Sequence, residues 1–460
     1  MSRKPKPSSA AVVQIPLKEA EVEEGTDWDG DDEPWDHSEE HGNNVNRNDG
    51  KEPPAAAQWK FPMKKALLQF RCKVEDAIRG DYLLSRSYRS ISRSSRENMN
   101  NASLQRPPLR DITLWGVPLL PSKGHEATDH VLTNFLKARD YKVGEAFEML
   151  QETLRWRRKN RVDEIAGEPP PGPDEPVSQM VYLRSVDREG RPLCHHVYGV
   201  LEDREAYKWA LGTKEKVEEF KRRIVQFMEK VVRRLGFKDG GVDSVVQITD
   251  LKNVQSQSVK EMRGVLRSTF WMVQDHYPEI VHRHIILNVP LWYYTFHLLL
   301  LRLLHQSDKS KFILARPAKV TKTLLKFIDP EDLPVEYGGL LRENDEEFST
   351  MDKVSEVFVR GNTAKSIRIP IAEAGTTVVW DLTVVGWDVS YKEEFVPEDE
   401  GSYKVQLHRT KKLTESVRNS YYINEPGQLV ITVRNPTFKK KRVMYRTKFK
   451  PTVPMYLFFK

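Results

Sequence analysis

The sequence predicts an α/β domain with a small helical subdomain ahead of it, an all-β sandwich behind it, and a disordered acidic N-terminus. Three observations predict this order. Residues 1–57 lack hydrophobic periodicity, residues 180–328 alternate strand-length apolar runs with amphipathic stretches, and residues after 350 form short alternating strands without helical signals. A chain of 460 residues is also long enough for about three domains.

Charge is distributed unevenly along the chain, although the formal net charge is only +7. Residues 19–40 contain twelve acidic residues and no Lys or Arg. Residues 402–460 contain fourteen Lys and Arg, against the two acids Glu415 and Glu425. An acidic head and a basic tail indicate an anionic partner for the folded part of the chain.

The N-terminal half divides into a head and a helical subdomain. An amphipathic helix is expected near 63–84, where apolar residues recur three or four apart. The segment 85–96 alternates Arg and Ser, which favours a flexible linker and leaves RNA binding as an alternative. The resulting division is 1–107 for the largely disordered head, 108–168 for the helical subdomain, 175–343 for the α/β domain and 350–452 for the sandwich.

Within the α/β domain, strands and helices are expected to alternate. A turn at 188–190 predicts a hairpin over 180–198, and Thr213 is a plausible N-cap for a long amphipathic helix. The following elements are expected as a buried strand over 242–250, a helix over 259–273, strands over 284–287 and 312–315, and a short helix over 321–328.

The last part of the chain carries the two-residue period of strands. Trp380, Leu382 and Val384 alternate with a second set of residues that begins at Asp381. Turn signals such as those at 361–362 and 426–427 separate these runs, which predicts a β-sandwich.

Sequence signatures of enzymes are absent. The sequence contains no phosphate-binding loop, no dinucleotide fingerprint and no serine-hydrolase elbow, so no catalytic residue is assigned. Cys194 precedes two histidines, but neighbouring strand residues point to opposite faces, so a buried structural thiol is expected. His282 and His284 are interpreted as a surface pair rather than a metal site. No metal and no cofactor are expected.

The most informative segment is an apolar stretch over 285–304. Asn288, Pro290, His297 and Arg302 interrupt it, which excludes a membrane span. A helix that is apolar nearly all round must be buried on every side or must cover something apolar. Periodicity alone leaves open an interior helix or a lid over a pocket for an acyl chain.

An ordered set of motifs resembles a known combination of domains. The run 132–156 is similar to the N-terminal helical piece of CRAL-TRIO lipid-transfer proteins. The rest of that pattern matches Asp187–Pro192, Thr249–Asn253, Asp275–Glu279, Asn288–Pro290, Lys309–Lys311 and Leu333–Gly339. The last domain resembles a GOLD domain, through Val378–Asp381, Pro426–Val430 and Asn435–Tyr445. CRAL-TRIO followed by GOLD after an acidic head resembles the patellins of plants, and Asp111–Leu120 strengthens that match.

The resemblance implies a headgroup site for a phospholipid formed by Lys311, Glu279 and Arg139. Two positions that read phosphatidylinositol in the family are occupied here by Asp140 and Asp308. The positions of a hydroxyl pair that reads phosphatidylcholine hold Val245 and Gln247. The resemblance therefore implies a hydrophobic cavity but not a particular headgroup.

Two further surfaces are expected. A cavity wall and gate should be formed by residues of the apolar helix, namely Trp292, Tyr293, Phe296, Leu298, Leu300 and Leu301. A membrane-contact patch is expected at Lys439, Lys440, Lys441 and Arg442, backed by Arg446, Lys448 and Lys450. Four consecutive cations at an expected hairpin bend cannot all be paired within one small β domain that has so few acids after residue 402.

Together these features imply a cytoplasmic, non-enzymatic protein that binds and transfers lipid and visits membranes reversibly. The patellin resemblance implies phosphoinositide recognition and a role in vesicle trafficking, including formation of the cell plate at cytokinesis, at the plasma membrane or the cell plate. The expected partners are an anionic membrane surface and a bound phospholipid, with the GOLD domain as the surface for a protein partner and with no nucleic acid. A GOLD-centred trafficking adaptor with a merely structural CRAL-TRIO unit is the alternative.

Overall fold

The computed structural model describes residues 54–84, 112–173, 175–238, 240–254, 259–290, 293–294, 297 and 309–452. The acidic stretch 19–40, the Arg/Ser segment 85–96 and most of the apolar segment after Pro290 lie outside the described residues. The predictions made for those segments therefore stay predictions.

The N-terminal part is a small helical layer. Its elements are α1 (Pro54–Arg79), the hairpin strands β1 (Thr113–Leu114) and β2 (Val117–Pro118), and the helices α2 (Glu126–Lys137), α3 (Val143–Asn160) and α4 (Val162–Ile165). The expected apolar face of α2 is fully buried, and Arg71 of α1 reaches Asp129 of α2 at 2.5 Å. Trp115 of the hairpin turn is stacked on Phe135 and Tyr277, which anchors the hairpin in the core.

The central part is an α/β layer built on a five-stranded sheet. Its elements are α5 (Pro176–Met180), β3 (Val181–Val186), β4 (Pro192–Val197), α6 (Arg204–Leu211), α7 (Lys214–Val232), β5 (Val245–Asp250), α8 (Val259–His276), β6 (Val281–Leu287), β7 (Phe312–Ala315) and α9 (Val320–Leu324). The strand order is β3-β4-β5-β6-β7, with β3 antiparallel to β4 and the remaining pairs parallel. The predicted hairpin and the predicted buried strand are both confirmed.

The starts and ends of two helices show how local chemistry sets them. Thr213 accepts a hydrogen bond from the Lys216 amide at 3.3 Å, so it is the N-cap of α7, as the sequence predicts. The helix expected over 321–328 ends early, at Leu324. The chain bends there, and the Phe327 carbonyl accepts the amide of Arg188 in the β3–β4 turn at 2.9 Å.

The two faces of the five-stranded sheet pack against different parts of the molecule. One face, which includes Cys194, His196 and His284, packs against α7 and α8. The other face, which includes Leu193 and Ile285, packs against α9 and the segment that follows it. Because both faces are covered, the parallel strands are apolar on both sides.

The C-terminal part is a sandwich of two four-stranded antiparallel sheets, as predicted. Its strands are β8 (Ser355–Val359), β9 (Ala364–Ile371), β10 (Thr376–Val384), β11 (Val389–Pro397), β12 (Val405–Leu413), β13 (Val417–Tyr422), β14 (Gly427–Arg434) and β15 (Lys441–Pro451). The sheet orders are β13-β10-β15-β8 and β12-β11-β14-β9. Trp380 and Leu382 point between the sheets and are fully buried.

The outer face of the first sandwich sheet is also buried, because it packs on the α/β layer. Met444 of β15 belongs to the same apolar cluster as Leu193 and Ile285 of the five-stranded sheet. The hydroxyl of Thr383 donates to the Gly338 carbonyl at 3.3 Å. The sandwich and the α/β layer therefore share a core.

Candidate functional site

The inner face of the five-stranded sheet, beneath α7 and α8, encloses a small cavity. Its lining comes from the sheet and from both helices: His196, Tyr198, Ile224, Gln247, Thr249, Leu266, Thr269, Phe270, Val273, His284, Ile286, Tyr293 and Phe312. The free volume is about 50 Å³. Since ordinary ligand pockets measure about 300–1,000 Å³, side chains must move apart before the cavity accepts an acyl chain.

Two neutral histidines face this cavity. Burial lowers the pKa of His196 to about 4 and that of His284 to about 3, so neither carries a charge near neutral pH. The ring of His284 is stacked on Phe312, with centroids 4.8 Å apart. The expectation of a surface histidine pair is therefore wrong for His284, because its strand lies inside the sheet and its side chain points at the cavity.

A charged pair lies beside the cavity. The Nζ atom of Lys311 is 2.8 Å from Oε1 of Glu279, and the two side chains are 19% and 25% exposed. The Lys311 carbonyl accepts a hydrogen bond from the His284 amide at 2.8 Å. Burial lowers the pKa of His284 most, and the positive charge of Lys311 lowers it further. The structure thus brings together two of the three residues expected at the headgroup.

The third expected residue, Arg139, has other neighbours. Its guanidinium donates to the Ala138 carbonyl at 2.8 Å. Burial raises the pKa of Asp275, and the charge of Arg139 opposes that rise, which puts Arg139 near the end of α8. The described contacts include none between Arg139 and the Lys311–Glu279 pair.

Tyr141 was not singled out from the sequence, and it lies near the pair. Burial raises the pKa of Tyr141, and the negative charge of Glu279 raises it further. Asp140 and Tyr141 have φ values of +48° and +59°, so the α2–α3 turn uses the left-handed region twice. The motif around residue 139 pointed to this turn, but it did not show which side chain reaches Glu279.

The two positions expected to hold a hydroxyl pair lie on β5. Val245 is buried at the start of the strand, whereas Gln247 faces the cavity and its amide lies 3.4 Å from the hydroxyl of Thr249. Thr249 and Thr269 also line the cavity. Hydroxyl groups are therefore present at other positions, which the family pattern did not indicate.

The expected gate lies mostly outside the part of the chain that the structure describes. Trp292, Phe296, Leu298, Leu300 and Leu301 lie outside the described residues. Tyr293 is buried in the cavity wall, and its ring is stacked on His297 at 5.9 Å. Across the parts of the chain that the structure describes, no helix is long and apolar enough to cross a membrane.

Each residue of the basic run at the turn between β14 and β15, two strands that belong to different sheets, has a partner. Lys441 donates to the Gly386 carbonyl at 2.8 Å, and Arg442 pairs with Glu356. The ammonium group of Lys440 lies 4.0 Å from the centre of the Phe358 ring. Lys439 also has a partner. Of the contacts described for Lys440, Lys441 and Arg442, only that of Arg442 is with a carboxylate.

The basic residues farther along β15 are paired as well. Lys448 contacts Asp352 at 3.4 Å and Lys450 pairs with Glu347, while Arg446 contacts Asp381 at 3.2 Å. All three acids precede residue 402. Counting charge over 402–460 missed them, because antiparallel pairing brings residues 345–381 to β15 from outside that range.

An exposed aromatic residue at the same turn was not predicted. Phe438 directly precedes the basic run and is 91% exposed. Lys440 and Lys441 contact an aromatic ring and a carbonyl, so they keep their positive charge. This turn tip, defined as Phe438, Lys440 and Lys441, therefore joins a large apolar side chain to two cations that form no ion pair with a described carboxylate.

Comparisons with known proteins identify the two domains. A CRAL/TRIO domain model matches residues 177–339, and a model of the Patellin-1-like C-terminal GOLD domain matches residues 360–441. Patellin-4 of Arabidopsis thaliana is 46% identical over 344 residues, which is 74% of this chain and 62% of that protein. Patellin-6 of the same plant is 37% identical over 334 residues, or 72% of this chain and 80% of that protein.

Similarity over the first domain extends beyond plants. The SEC14 cytosolic factor of Eremothecium gossypii is 28% identical over 218 residues, covering 46% of this chain and 69% of that protein. The match to Patellin-4 covers less than two thirds of that protein's length.

Proposed function

This chain belongs to the patellin family, and from that premise we propose that it binds one phospholipid in its CRAL-TRIO domain and carries or presents it at membranes. The observation that supports this function is the apolar cavity on the inner face of the sheet, with the Lys311–Glu279 pair beside it. Each CH₂ group withdrawn from water would contribute about 0.8 kcal/mol to binding. No bond is made or broken in this function.

We assign the headgroup end to Lys311, Glu279 and Tyr141. In the unliganded pair, Glu279 satisfies the charge of Lys311. A lipid phosphate would take over Lys311, and Glu279 would then accept hydroxyl groups of an inositol-like ring. Tyr141 keeps its hydroxyl proton, because burial and Glu279 both raise its pKa, so it can donate to the same ring.

The turn tip supports reversible contact with an anionic membrane. Phe438 would enter the interfacial region, and each lysine near the surface would contribute about 1 kcal/mol. This contact suits peripheral, reversible association with the plasma membrane or the cell plate. Phosphoinositide recognition, membrane trafficking and a role in forming the cell plate are parts of the same proposal.

A lipid inventory tests the cavity. Mass spectrometry of the purified full chain is expected to find about one phospholipid per protein. Lys311→Ala is expected to lower loading with phosphoinositide about tenfold while loading with a neutral lipid that has no phosphate changes little, because the lysine meets a phosphate group. Lys322→Ala, an exposed lysine on α9, is the matched control.

The outcomes separate the proposal from its alternative. Equal losses for both lipids in Lys311→Ala would show that the Lys311–Glu279 pair is structural. An empty protein that forms stable complexes with other proteins would favour the GOLD-centred adaptor.

A further inference from the structure

A second concave site lies beside α7. It is a groove of about 580 Å³ between the second half of α7, the proline-rich loop after Ala166 and the start of β3. Phe227 forms part of its floor and meets His196 of the cavity wall edge-on, with ring centres 5.9 Å apart. This aromatic contact separates the groove from the cavity, so the two sites are distinct.

Four cationic side chains line this groove: Arg223, Lys230, Arg233 and Arg234. The spacing of 223, 230 and 234 puts these three on one face of the helix and its last turn. Lys230, Arg233 and Arg234 are exposed, and none of them has an ion-pair or hydrogen-bond partner for its side chain among the described residues. These three residues, Lys230, Arg233 and Arg234, are the groove cations.

The acids near the groove do not compensate these charges. Glu168, which lines the groove, is paired with Arg222, and Arg222 lies outside the groove. Glu175 lies 3.9 Å from Arg223, at the limit of an ion pair. The groove therefore carries an uncompensated positive charge of about three.

The opposite wall is held in place. The side-chain amide of Gln226 donates to the carbonyls of Glu168 and Pro169, at 3.0 Å each, which ties the loop to α7. Tyr182 of β3 lines the groove and is stacked on His195 at 5.0 Å. The loop wall of the groove is therefore fixed on α7.

The helix dipole alone does not account for this arrangement. One cation near a helix C-terminus is favourable by about 0.3–1 kcal/mol. Lys230 and Arg234, however, are like charges four residues apart, and Arg233 adds a third, which is unfavourable by a similar amount for each pair. An anion with several charges would remove this repulsion, and arginine forks match phosphate oxygens in geometry.

We propose that this groove binds a small polyanion that carries at least two phosphate groups. The shared chemistry is a cluster of phosphomonoesters, which a soluble inositol phosphate or the headgroup of a bisphosphorylated lipid can provide. The site is independent of lipid uptake by the cavity, so loading of the cavity is expected to be unchanged when the groove cations are removed.

The test uses the full chain and two probes. Calorimetry with inositol 1,4,5-trisphosphate measures binding of the soluble form. Sedimentation with phosphatidylcholine vesicles, with and without phosphatidylinositol 4,5-bisphosphate, measures binding of the lipid form. The variant Lys230→Ser/Arg234→Ser is expected to lose at least tenfold in affinity for one or both probes, because it removes two charged hydrogen-bond donors to phosphate.

The matched control is Arg204→Ser/Lys214→Ser. It removes the same charge from two exposed residues, and Lys214 lies at the other end of α7. If the groove variant loses binding of inositol 1,4,5-trisphosphate but not of the vesicles, and the control loses neither, the ligand is a free polyanion. If the groove variant loses binding of the vesicles but not of inositol 1,4,5-trisphosphate, the ligand is a lipid headgroup. The proposal is overturned if wild type binds neither probe, if the groove variant binds both as wild type does, or if the control loses as much. Equal thermal unfolding of all three proteins confirms that each is folded.

Discussion

Two basic regions of this molecule look alike in sequence and differ in structure. Along β15, Arg442, Arg446, Lys448 and Lys450 each meet a carboxylate. The groove cations at the end of α7 meet none among the described residues. The β15 region has the denser charge, yet it has less charge available for a ligand. Pairing across strands, rather than the number of cations in a segment, therefore decides which basic region can bind an anion.

The buried end of the β15 region explains why its charges are not available. Arg418, Asp381 and Arg446 lie side by side on β13, β10 and β15. Asp381 is fully buried and accepts from Arg342 at 3.1 Å, from Arg418 at 2.6 Å and from Arg446 at 3.2 Å. Arg446 also donates to the Leu340 carbonyl at 2.7 Å. These cations are structural.

Removing the central carboxylate is expected to have the largest effect. Asp381→Asn leaves three arginines without their shared acid in a buried site, and we expect a loss of about 3–5 kcal/mol in the free energy of unfolding. Urea denaturation followed by tryptophan fluorescence measures this loss. The matched control is Asp352→Asn, which breaks a more exposed contact with Lys448 and should cost less than about 1 kcal/mol. Similar losses in the two variants would remove the distinction between buried and exposed pairs.

Acid should weaken the same cluster. Burial tends to raise the pKa of Asp345, but the hydrogen bonds from Arg418 and from the amides of Phe348 and Glu347 hold it at about 2. Because this pKa is below the unfolded value, the contribution is complete above about pH 4 and is lost as the pH falls to about 2; it amounts to about 2 kcal/mol. Unfolding measured across this range in wild type and Asp345→Asn checks the prediction, and equal pH slopes would contradict it.

Variants of the turn tip should distinguish cations that are paired with a carboxylate from cations that are not. Lys440→Ser/Lys441→Ser is expected to weaken binding to anionic vesicles by about 2 kcal/mol at low salt, with the difference shrinking as salt rises. The double variant Arg442→Ser/Glu356→Ser should have little effect on binding, since it removes an ion pair that carries no net charge. Sedimentation at rising salt measures both variants. Binding that is insensitive to salt, or an equal loss per cation in both variants, would exclude this role for the tip.

The smallest effect is expected for a substitution at the groove, measured as a change in the free energy of unfolding. Arg234 has no partner among the described residues, so Arg234→Ser should change the free energy of unfolding by no more than about 0.5 kcal/mol. Urea denaturation measures this change as well. A loss above about 1 kcal/mol would show that Arg234 supports the fold and is not held for a ligand.

The comparison also shows what the sequence could and could not predict. The cap at Thr213 and the hairpin over β3 and β4 depend on a few neighbouring residues, so local patterns predicted them. The alternation beginning at Trp380 predicted strand β10 correctly. It could not show that Asp381, on the other face, is buried, because that face is covered by the α/β layer. Burial of this kind depends on contacts distant in sequence.

The candidate site was predicted in part for a similar reason. Motif spacing identified Glu279 and Lys311, and the structure places them 2.8 Å apart. The proposed role of Tyr141 at the headgroup depends on the turn between α2 and α3, where two successive residues adopt positive φ. The surface assignment of His284 was wrong because a lone histidine pair in sequence does not reveal which face of a sheet it occupies.

The shared core at Met444 has a consequence for anyone who wishes to treat the two domains as interchangeable modules. A sandwich expressed alone would present Met444 and the outer side of Asp381 to solvent, and a CRAL-TRIO unit expressed alone would lose part of the cluster around Leu193. Grafting either domain onto a different relative would preserve its own strands and still leave a mismatched seam. Chimeras of this protein should therefore exchange the residues of the seam together with the domain.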